Sequence, residues 1–283
     1  MPRARVFAMR CLAAAASALL RVRAGRALGE EIVTASLART RRVTHNGTAL
    51  VFAVPNRLTD YRARTLSSKE PETLDWLDSL PHGSVLWDIG ANVGLYSCYA
   101  AKARGCRVIA FEPSVFNLEV LARNVHLNGL TGSVTIVAAP LFSSIAHDTL
   151  NMTSTQWGGA LSTFSENYGS DGAPLESSFQ FRTVGISMDT AISTLAIPAP
   201  DYIKMDVDGI EHVILRGGAA ALAHVKSIAI EINDAFEQQA ADCARLLRGG
   251  GLQLVSKRQA ARMAEHPDFA RTFNQVWSRP PAS

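Results

Sequence analysis

The sequence predicts an α/β protein built on a doubly wound, mostly parallel seven-stranded sheet. Short apolar runs alternate with segments of helical periodicity from residue 85 to residue 277, a pattern typical of parallel sheets covered by helices on both faces. A glycine turn, Gly90 to Gly94, joins the first of these runs to its helix. The length of 283 residues, 47% of them hydrophobic, suits one large domain with an appendage.

The first elements precede this alternating region. Thr48 to Val54 is a short apolar run stopped by Pro55, which predicts a strand that ends in a turn. Glu70 to Leu80 predicts a helix because Pro71 stands in its first turn and leucines recur at helical spacing. We expect these two elements to pack on the main domain as an N-terminal unit over residues 43–82.

The alternating region supplies the sheet. Its seven predicted strands are Val85 to Ile89, Arg107 to Phe111, Val134 to Ala138, Tyr202 to Asp206, Ser227 to Ile232, Leu252 to Ser256 and Phe273 to Trp277. Its predicted helices are Leu95 to Arg104, Asn117 to Asn128, Glu211 to Leu215 and Phe236 to Leu247. Residues 151–178 interrupt the alternation with Ser, Thr, Gly and Asn, and a stretch of this length is usually functional or mobile.

Charge divides the chain unevenly. Residues 1–42 carry nine arginines and two glutamates, a net charge of +7, whereas the whole chain has +3 and the remainder −4. A mildly acidic body argues against nucleic acid as the partner. Residues 1–42 are expected to form a basic arm beside the body, with weak contact to a membrane surface as the alternative. The four cysteines form no C-x-x-C pair, which predicts a reduced, cytoplasmic protein.

The most informative segment is the strand that runs into the glycine turn, L-W-D-I-G-A-N-V-G. It lacks the G-x-G-x-x-G pattern of dinucleotide sites, and Asp88 at the strand end suits a cationic or hydroxylated ligand better than a diphosphate. Glu112 follows the second strand, where a carboxylate can accept both hydroxyls of a ribose. A nucleoside without phosphate fits both carboxylates, and S-adenosylmethionine is such a ligand. We predict that it is the cofactor and that Asp88, Gly90, Asn92, Gly94, Glu112 and Asp206 bind it.

Four motifs in order resemble the FkbM-type methyltransferase family. They are V-L-W-D-I-G-A-N-V-G-L-Y-S, V-I-A-F-E-P-S, N-V-H-L-N-G-L and Y-I-K-M-D-V-D-G-I-E. The lead-in K-E-P-E-T-L-D-W from Lys69 to Trp76 also resembles members of this family, and Asp208 stands where the family pattern has Glu. The resemblance implies a class I methyltransferase domain over residues 83–283, S-adenosylmethionine as methyl donor, and O-methylation of a hydroxyl, often on a sugar.

Methyl transfer to a hydroxyl requires alignment and removal of a proton, so a carboxylate or histidine is needed near the methyl group. Asp206 is the predicted base because it ends the central strand beside the cofactor turn, and Glu231 ends the neighbouring strand. His212 is a third candidate, with a packing role as its alternative. We also consider a Mg²⁺ site at Asp206, Glu231 and Asn233. Residues 151–178 are predicted to cover the acceptor site.

The predicted acceptor is a sugar or glycan precursor. One alternative keeps the chemistry and changes the acceptor to a polyketide, a lipid or another small-molecule hydroxyl. Another alternative is a cofactor-binding protein without catalysis that is tethered by its basic arm. The carboxylates at positions 88, 112 and 206 argue against this second alternative, because each stands where the chemistry requires one.

Overall fold

The computed structural model describes residues 14–259 and 270–280. The strands of the described part are β1 (Thr40–His45), β2 (Thr48–Ala53), β3 (Val85–Ile89), β4 (Arg107–Phe111), β5 (Val134–Val137), β6 (Ala146–Met152), β7 (Ser162–Phe164), β8 (Phe179–Gly185), β9 (Tyr202–Met205), β10 (Ser227–Asn233), β11 (Gln253–Arg258) and β12 (Thr272–Ser278). The helices are α1 (Arg23–Leu37), α2 (Arg57–Arg64), α3 (Leu66–Lys69), α4 (Pro71–Ser79), α5 (Leu95–Arg104), α6 (Val115–Leu127), α7 (Met188–Ser193), α8 (Glu211–Arg216), α9 (Ala219–His224) and α10 (Glu237–Gly249).

The central sheet contains all seven predicted strands, in the order β11-β12-β10-β9-β3-β4-β5. The pairs from β10 through β5 are parallel, while β12 runs antiparallel to both of its neighbours. Strands β3, β4 and β5 follow one another across the sheet, and β9 then pairs with the opposite edge of β3. This arrangement confirms the predicted doubly wound, mostly parallel sheet.

Alternate side chains of the sheet enter two cores, as the two-residue period of a strand requires. On β3, Leu86 packs into one core together with side chains from β2, α4, α5 and α6. Trp87 faces the opposite core, which contains side chains from α7, α8, α9 and α10. Both residues are fully buried, so helices cover the sheet on both faces.

The N-terminal unit is larger than the sequence predicts. An unpredicted strand, β1, crosses the expected boundary at residue 42 and pairs antiparallel with β2. The two strands meet at an Asn46–Gly47 turn, where both residues have positive φ, as tight hairpins favour. The unit packs on the main domain through Asn124, whose side chain accepts a hydrogen bond from the Ala53 amide at 2.7 Å. Helices α2 and α3 also lie outside the predicted elements.

Residues 151–178 are not an open loop. A small antiparallel sheet of order β7-β6-β8 incorporates parts of this segment, and Met152 and Phe164 belong to the main core. Helix α1, in contrast to Met152 and Phe164, contributes little to the core, because Gly25 is its only buried residue. None of the described helices is both long and apolar enough to cross a membrane.

Candidate active site

The site lies at the carboxyl ends of β3, β4 and β9, where the order of the sheet reverses. The turn after β3 begins at Gly90, which has a φ of +80°. A Cβ atom at this position would lie 1.9 Å from the carbonyl oxygen of Asp206. Glycine is therefore required for the turn to pass this close to the end of β9.

Two residues of the turn motif lie beneath the site and not in it. Asp88 is 1% exposed; its side chain accepts a hydrogen bond from the Ser97 hydroxyl at 2.5 Å and lies 3.7 Å from the Lys204 ammonium. Gly94 precedes α5 with a φ of +77°, and a Cβ there would lie 2.2 Å from Leu121. The structure thus places both residues where they support the turn, out of contact with the two clefts described next.

Two clefts open on this edge of the sheet. The Glu112 cleft is lined by Glu112, Asn117, Pro140 and Leu141 among others. The Glu231 cleft is lined by Glu231, Lys204 and residues of the N-terminal unit. Their volumes are about 60 Å³ and about 510 Å³, respectively. They share five lining residues, namely Gly90, Asn92, Ala160, Asp206 and Asp208.

Glu112 is 4% exposed and is held by backbone and side-chain donors. One of its carboxylate oxygens accepts from the Asn92 amide at 2.7 Å, and the other accepts from the Ser114 amide at 2.8 Å and from the Asn117 side chain at 3.4 Å. Burial raises the pKa of this carboxyl to about 7, although the three donors oppose the change. A carboxylate has about four acceptor positions, so one remains for a ligand.

A short segment, residues 157–161, lies across the boundary of the two clefts, and we call it the strap. The carbonyl of Gly159 accepts hydrogen bonds from the side chains of Asn92 at 2.7 Å and Asn117 at 3.1 Å. The Leu161 amide donates to Asp208 at 2.6 Å. The sequence prediction placed this region over the acceptor alone, whereas the strap lines both clefts.

Position 208 is an aspartate where the FkbM-type pattern has glutamate. The shorter carboxylate still reaches the strap, because it accepts a hydrogen bond from the Leu161 amide. Asp208 has a φ of +61°, which places its short side chain under the strap. Burial, followed by repulsion from Asp206, raises the pKa of Asp208 to about 6. Its carboxylate lines both clefts, so the shorter side chain does not withdraw its charge from the site.

Three carboxylates meet in the Glu231 cleft. Oxygen atoms of Glu70, Asp206 and Glu231 all lie within 4.8 Å of one another. The Lys204 ammonium contacts Asp206 at 3.2 Å, and Lys69 forms an ion pair with Glu70. These two lysines place positive charge beside the carboxylate cluster, whose spacing is also one that could hold a metal ion.

The pKa values of the two predicted bases, Asp206 and Glu231, are shifted in opposite directions. Burial opposes ionisation of Asp206, but Lys204 and then Lys69 outweigh it and lower the pKa of this carboxyl. Burial raises the pKa of Glu231 well above its ordinary value, and the negative charges of Asp206 and Glu70 raise it further. The surroundings therefore favour the charged form of Asp206, whereas Glu231 takes up a proton more readily.

Two other predicted residues lie away from the clefts. His212 is buried in α8, with its ring 6.0 Å from that of Phe236, and it lines neither cleft. Asn233 accepts a hydrogen bond from the Ala235 amide at 2.9 Å, so it does not join Asp206 and Glu231 as the Mg²⁺ hypothesis required. The His212 side chain thus packs inside the fold, and the Asn233 side chain is bonded to the turn after β10.

The sequence interpretation missed the contribution of the N-terminal unit. Arg62, Lys69 and Glu70 line the Glu231 cleft, and the Tyr96 hydroxyl donates to Glu70 at 2.9 Å. Glu211 was also missed as a support: buried in α8, it accepts hydrogen bonds from the Val207 and Gly209 amides and so holds the turn after β9. The K-E-P-E-T-L-D-W lead-in was the available signal for Lys69 and Glu70.

The chain matches known methyltransferases in sequence. The family model described as Methyltransferase FkbM domain matches residues 88–264. Hexuronic acid methyltransferase AglP of Haloferax volcanii is 27% identical over 200 residues, which cover 66% of this chain and 72% of that protein. Methyltransferase sdnD of Sordaria araneosa is 37% identical over 67 residues, 23% of this chain and 26% of that protein.

Solved structures were also compared. The AdoMet complex of TYW2 from M. jannaschii is 13% identical, with 85% of this chain and 87% of that chain covered and a TM-score of 0.44. The match to the family model spans more than half of the chain and carries the assignment. This protein therefore belongs to the FkbM methyltransferase family, and it is a methyltransferase with S-adenosylmethionine as cofactor.

Proposed function

We propose that this enzyme O-methylates a hydroxyl of a sugar or glycan precursor. The observation that carries the proposal is the junction of the two clefts. The Glu112 cleft offers a ribose-binding carboxylate, the Glu231 cleft offers carboxylates for a hydroxyl-bearing acceptor, and Asp206 lines both. A donor in one cleft and an acceptor in the other would meet beside Asp206.

The residues present fit S-adenosylmethionine. Glu112 retains an acceptor position for a ribose hydroxyl, Gly90 and Asn92 line both clefts, and Asp206 provides an anion near a cationic ligand. When bound, this cofactor supplies an electrophilic methyl group. Asp88 and Gly94 would not contact the cofactor; they would hold in place the turn that carries Gly90 and Asn92.

Two carboxylates would orient the acceptor hydroxyl and remove its proton. Asp206 is held by Lys204 and would orient the acceptor hydroxyl as a hydrogen-bond acceptor. Glu231 would take the hydroxyl proton, because its raised pKa makes its carboxylate the stronger base of the two. The strap would exclude water from the junction, which protects an alignment-dependent reaction.

The choice of acceptor is supported by the relative named for hexuronic acid, which is a sugar acid. The Glu231 cleft also has the polar lining that sugar hydroxyls need, with Tyr61 as an aromatic surface for a sugar ring. Leu58, Leu66, Leu95 and Leu161 line the same cleft and favour the second candidate, a lipid or polyketide hydroxyl.

The test is a methyl-transfer screen with isotopically labelled S-adenosylmethionine. Nucleotide-linked neutral hexoses, nucleotide-linked hexuronic acids and lipid or polyketide alcohols serve as acceptors. We expect label in a sugar product that survives mild alkali, because a methyl ether is stable where a methyl ester is hydrolysed. Alkali-labile label would instead indicate methylation of a carboxylate, and label only in the lipid or polyketide alcohols would favour the second candidate.

A further inference from the structure

Glu70 belongs to the lead-in motif that the proposed function leaves unused. It lies between α3 and α4, ahead of the matched family residues 88–264. The residue is 2% exposed, yet it lines the Glu231 cleft. A buried carboxylate is costly unless it is paired, so its position requires an explanation.

The contacts of Glu70 connect three parts of the molecule. It forms an ion pair with Lys69 and accepts from Tyr96 on α5, and its carboxylate lies within 4.8 Å of Asp206 and Glu231. Asp206 in turn contacts Lys204 at 3.2 Å. In the described part of the chain, Glu231 is the member of this carboxylate cluster with no hydrogen bond or ion pair.

Like charges this close cannot all remain ionised without compensation. Two ammonium groups lie beside the three carboxylates, and each is engaged with Glu70 or Asp206. Glu231 is therefore the carboxylate of this cluster that takes up a proton most readily. The charged and titratable groups around it are Arg62, Lys69, Glu70, Tyr96, Lys204, Asp206 and Asp208.

Resting on the proposed role of Glu231 as base, we propose that Glu70 is a positioning residue. It holds Lys69 and Tyr96 at the cleft wall and places a second negative charge beside Glu231, which makes Glu231 the carboxylate that takes the acceptor proton. The N-terminal unit is then part of the active site, although it lies outside the matched family domain. Burial and the charges of Asp206 and Glu70 act in the same direction on the pKa of Glu231.

The test reads the titration of Glu231 directly and needs no acceptor. Protein labelled with ¹³C at glutamate carboxyls is titrated by NMR, and the Glu231 signal is assigned by its loss in Glu231→Gln. In Glu70→Gln we expect the Glu231 midpoint to fall by about one pH unit or more, because a neighbouring negative charge is removed. In Lys69→Gln we expect the midpoint to rise, because a positive charge is removed.

Opposite shifts in the two variants distinguish an electrostatic role from a merely structural one. Glu70→Asp keeps the charge and should keep the midpoint close to that of the unmodified protein. Asp75→Asn on α4 removes a carboxylate that is 69% exposed and should leave it unchanged. Shifts of the same sign, or none, in Glu70→Gln and Lys69→Gln would overturn the proposal. If Glu70→Gln does not fold, the sign of the Lys69→Gln shift decides.

These outcomes are separate from those of the acceptor screen. A screen without product would remove the proposed acceptor while the titration still established the role of Glu70. A methylated product with no change in the Glu231 midpoint would remove the role of Glu70 alone.

Discussion

Asp206 and Glu231 are neighbouring carboxylates whose surroundings give them different properties. From the sequence, Asp206 was the better candidate for the base because it ends the central strand. In the structure Lys204 holds Asp206 at 3.2 Å and favours its charged form, whereas Glu231 has carboxylates as its near neighbours. Our proposal therefore assigns proton removal to Glu231 and orientation of the acceptor to Asp206.

We predict that Glu231→Gln lowers kcat by about 10²- to 10⁴-fold, the usual loss when a general base is removed. The rate of the unmodified enzyme should rise with pH through the pKa of Glu231, since the carboxyl must lose its proton to act as base. Methyl-transfer rates at saturating cofactor, measured across pH, check both statements. Asp206→Asn is the matched comparison. Near-full turnover in Glu231→Gln would show that Glu231 is not the base. Asp206 would then be the base, or the rate would come from alignment of the acceptor with the methyl group alone.

Glu112 offers a second prediction at this scale. Glu112→Ala should weaken binding of S-adenosylmethionine by about 1 to 3 kcal/mol, the cost of losing a charged hydrogen-bond acceptor. Calorimetry at neutral pH measures this difference. Glu176→Ala, a change at an exposed carboxylate, provides the control. An unaltered affinity in Glu112→Ala would remove the ribose assignment.

Among the structural elements, the strap has the clearest consequence for function. The Glu112 cleft, at about 60 Å³, has room for a few water molecules and less than a nucleoside needs. Residues Gly159 and Ala160 of the strap form part of its wall. We therefore predict that the strap moves when the adenosine moiety of the cofactor binds in this cleft. Deleting residues 151–178 would not test this cleanly, because Met152 and Phe164 would leave the core.

The strap can be loosened from outside both clefts. The Trp157 ring nitrogen donates to Glu119 on α6 at 3.1 Å, and Glu119 lines neither cleft. We predict that Glu119→Ala speeds hydrogen exchange at the Gly158 and Leu161 amides by about 2- to 10-fold, the equivalent of one hydrogen bond. Stopped-flow binding of S-adenosylmethionine should accelerate in parallel.

The control for the strap variant is Arg123→Ala. Arg123 pairs with Glu119 at 3.0 Å, so its removal breaks the ion pair and leaves the Trp157 hydrogen bond in place. Exchange at the strap should then stay as in the unmodified protein. Faster exchange in Glu119→Ala without faster cofactor binding would show that the strap does not control entry.

For the whole molecule, helix α1 is an element that buries little of its own surface. Leu28 is 50% exposed and Ile32 is 61% exposed, on a helix whose single buried residue is Gly25. We predict that a chain lacking residues 1–37 keeps its affinity for S-adenosylmethionine and a melting temperature within about 2 °C, because little apolar area is lost. Thermal unfolding and calorimetry check this.

The same truncation addresses the predicted basic arm. If the arm contacts membranes, sedimentation with vesicles that contain anionic lipid should depend on residues 1–37, and vesicles of zwitterionic lipid should bind neither form. Equal sedimentation of both forms would contradict membrane contact through the arm. Residues 1–13 of the arm lie outside the described part of the chain.

The sequence by itself determined the seven-stranded sheet, which the strand order confirms, and the family, which the match to the FkbM domain confirms. These features are local: strand and helix periods, turn glycines and short motifs are all contained in neighbouring residues. The strands β1, β6, β7 and β8 escaped prediction because none of them contains a long apolar run. Pairing of β1 with β2, and of β6 with β7 and β8, is what makes them strands.

Only the tertiary structure decided which side chains share the site. His212 and Asn233 stand near strand ends in the sequence, yet His212 packs in the interior, Asn233 bonds to its own turn, and neither lines a cleft. Glu70 is distant in the chain, yet the N-terminal unit brings it within 4.8 Å of Asp206 and Glu231. Charge acts through space and not along the chain, so the properties of these carboxylates depend on contacts that no local pattern contains.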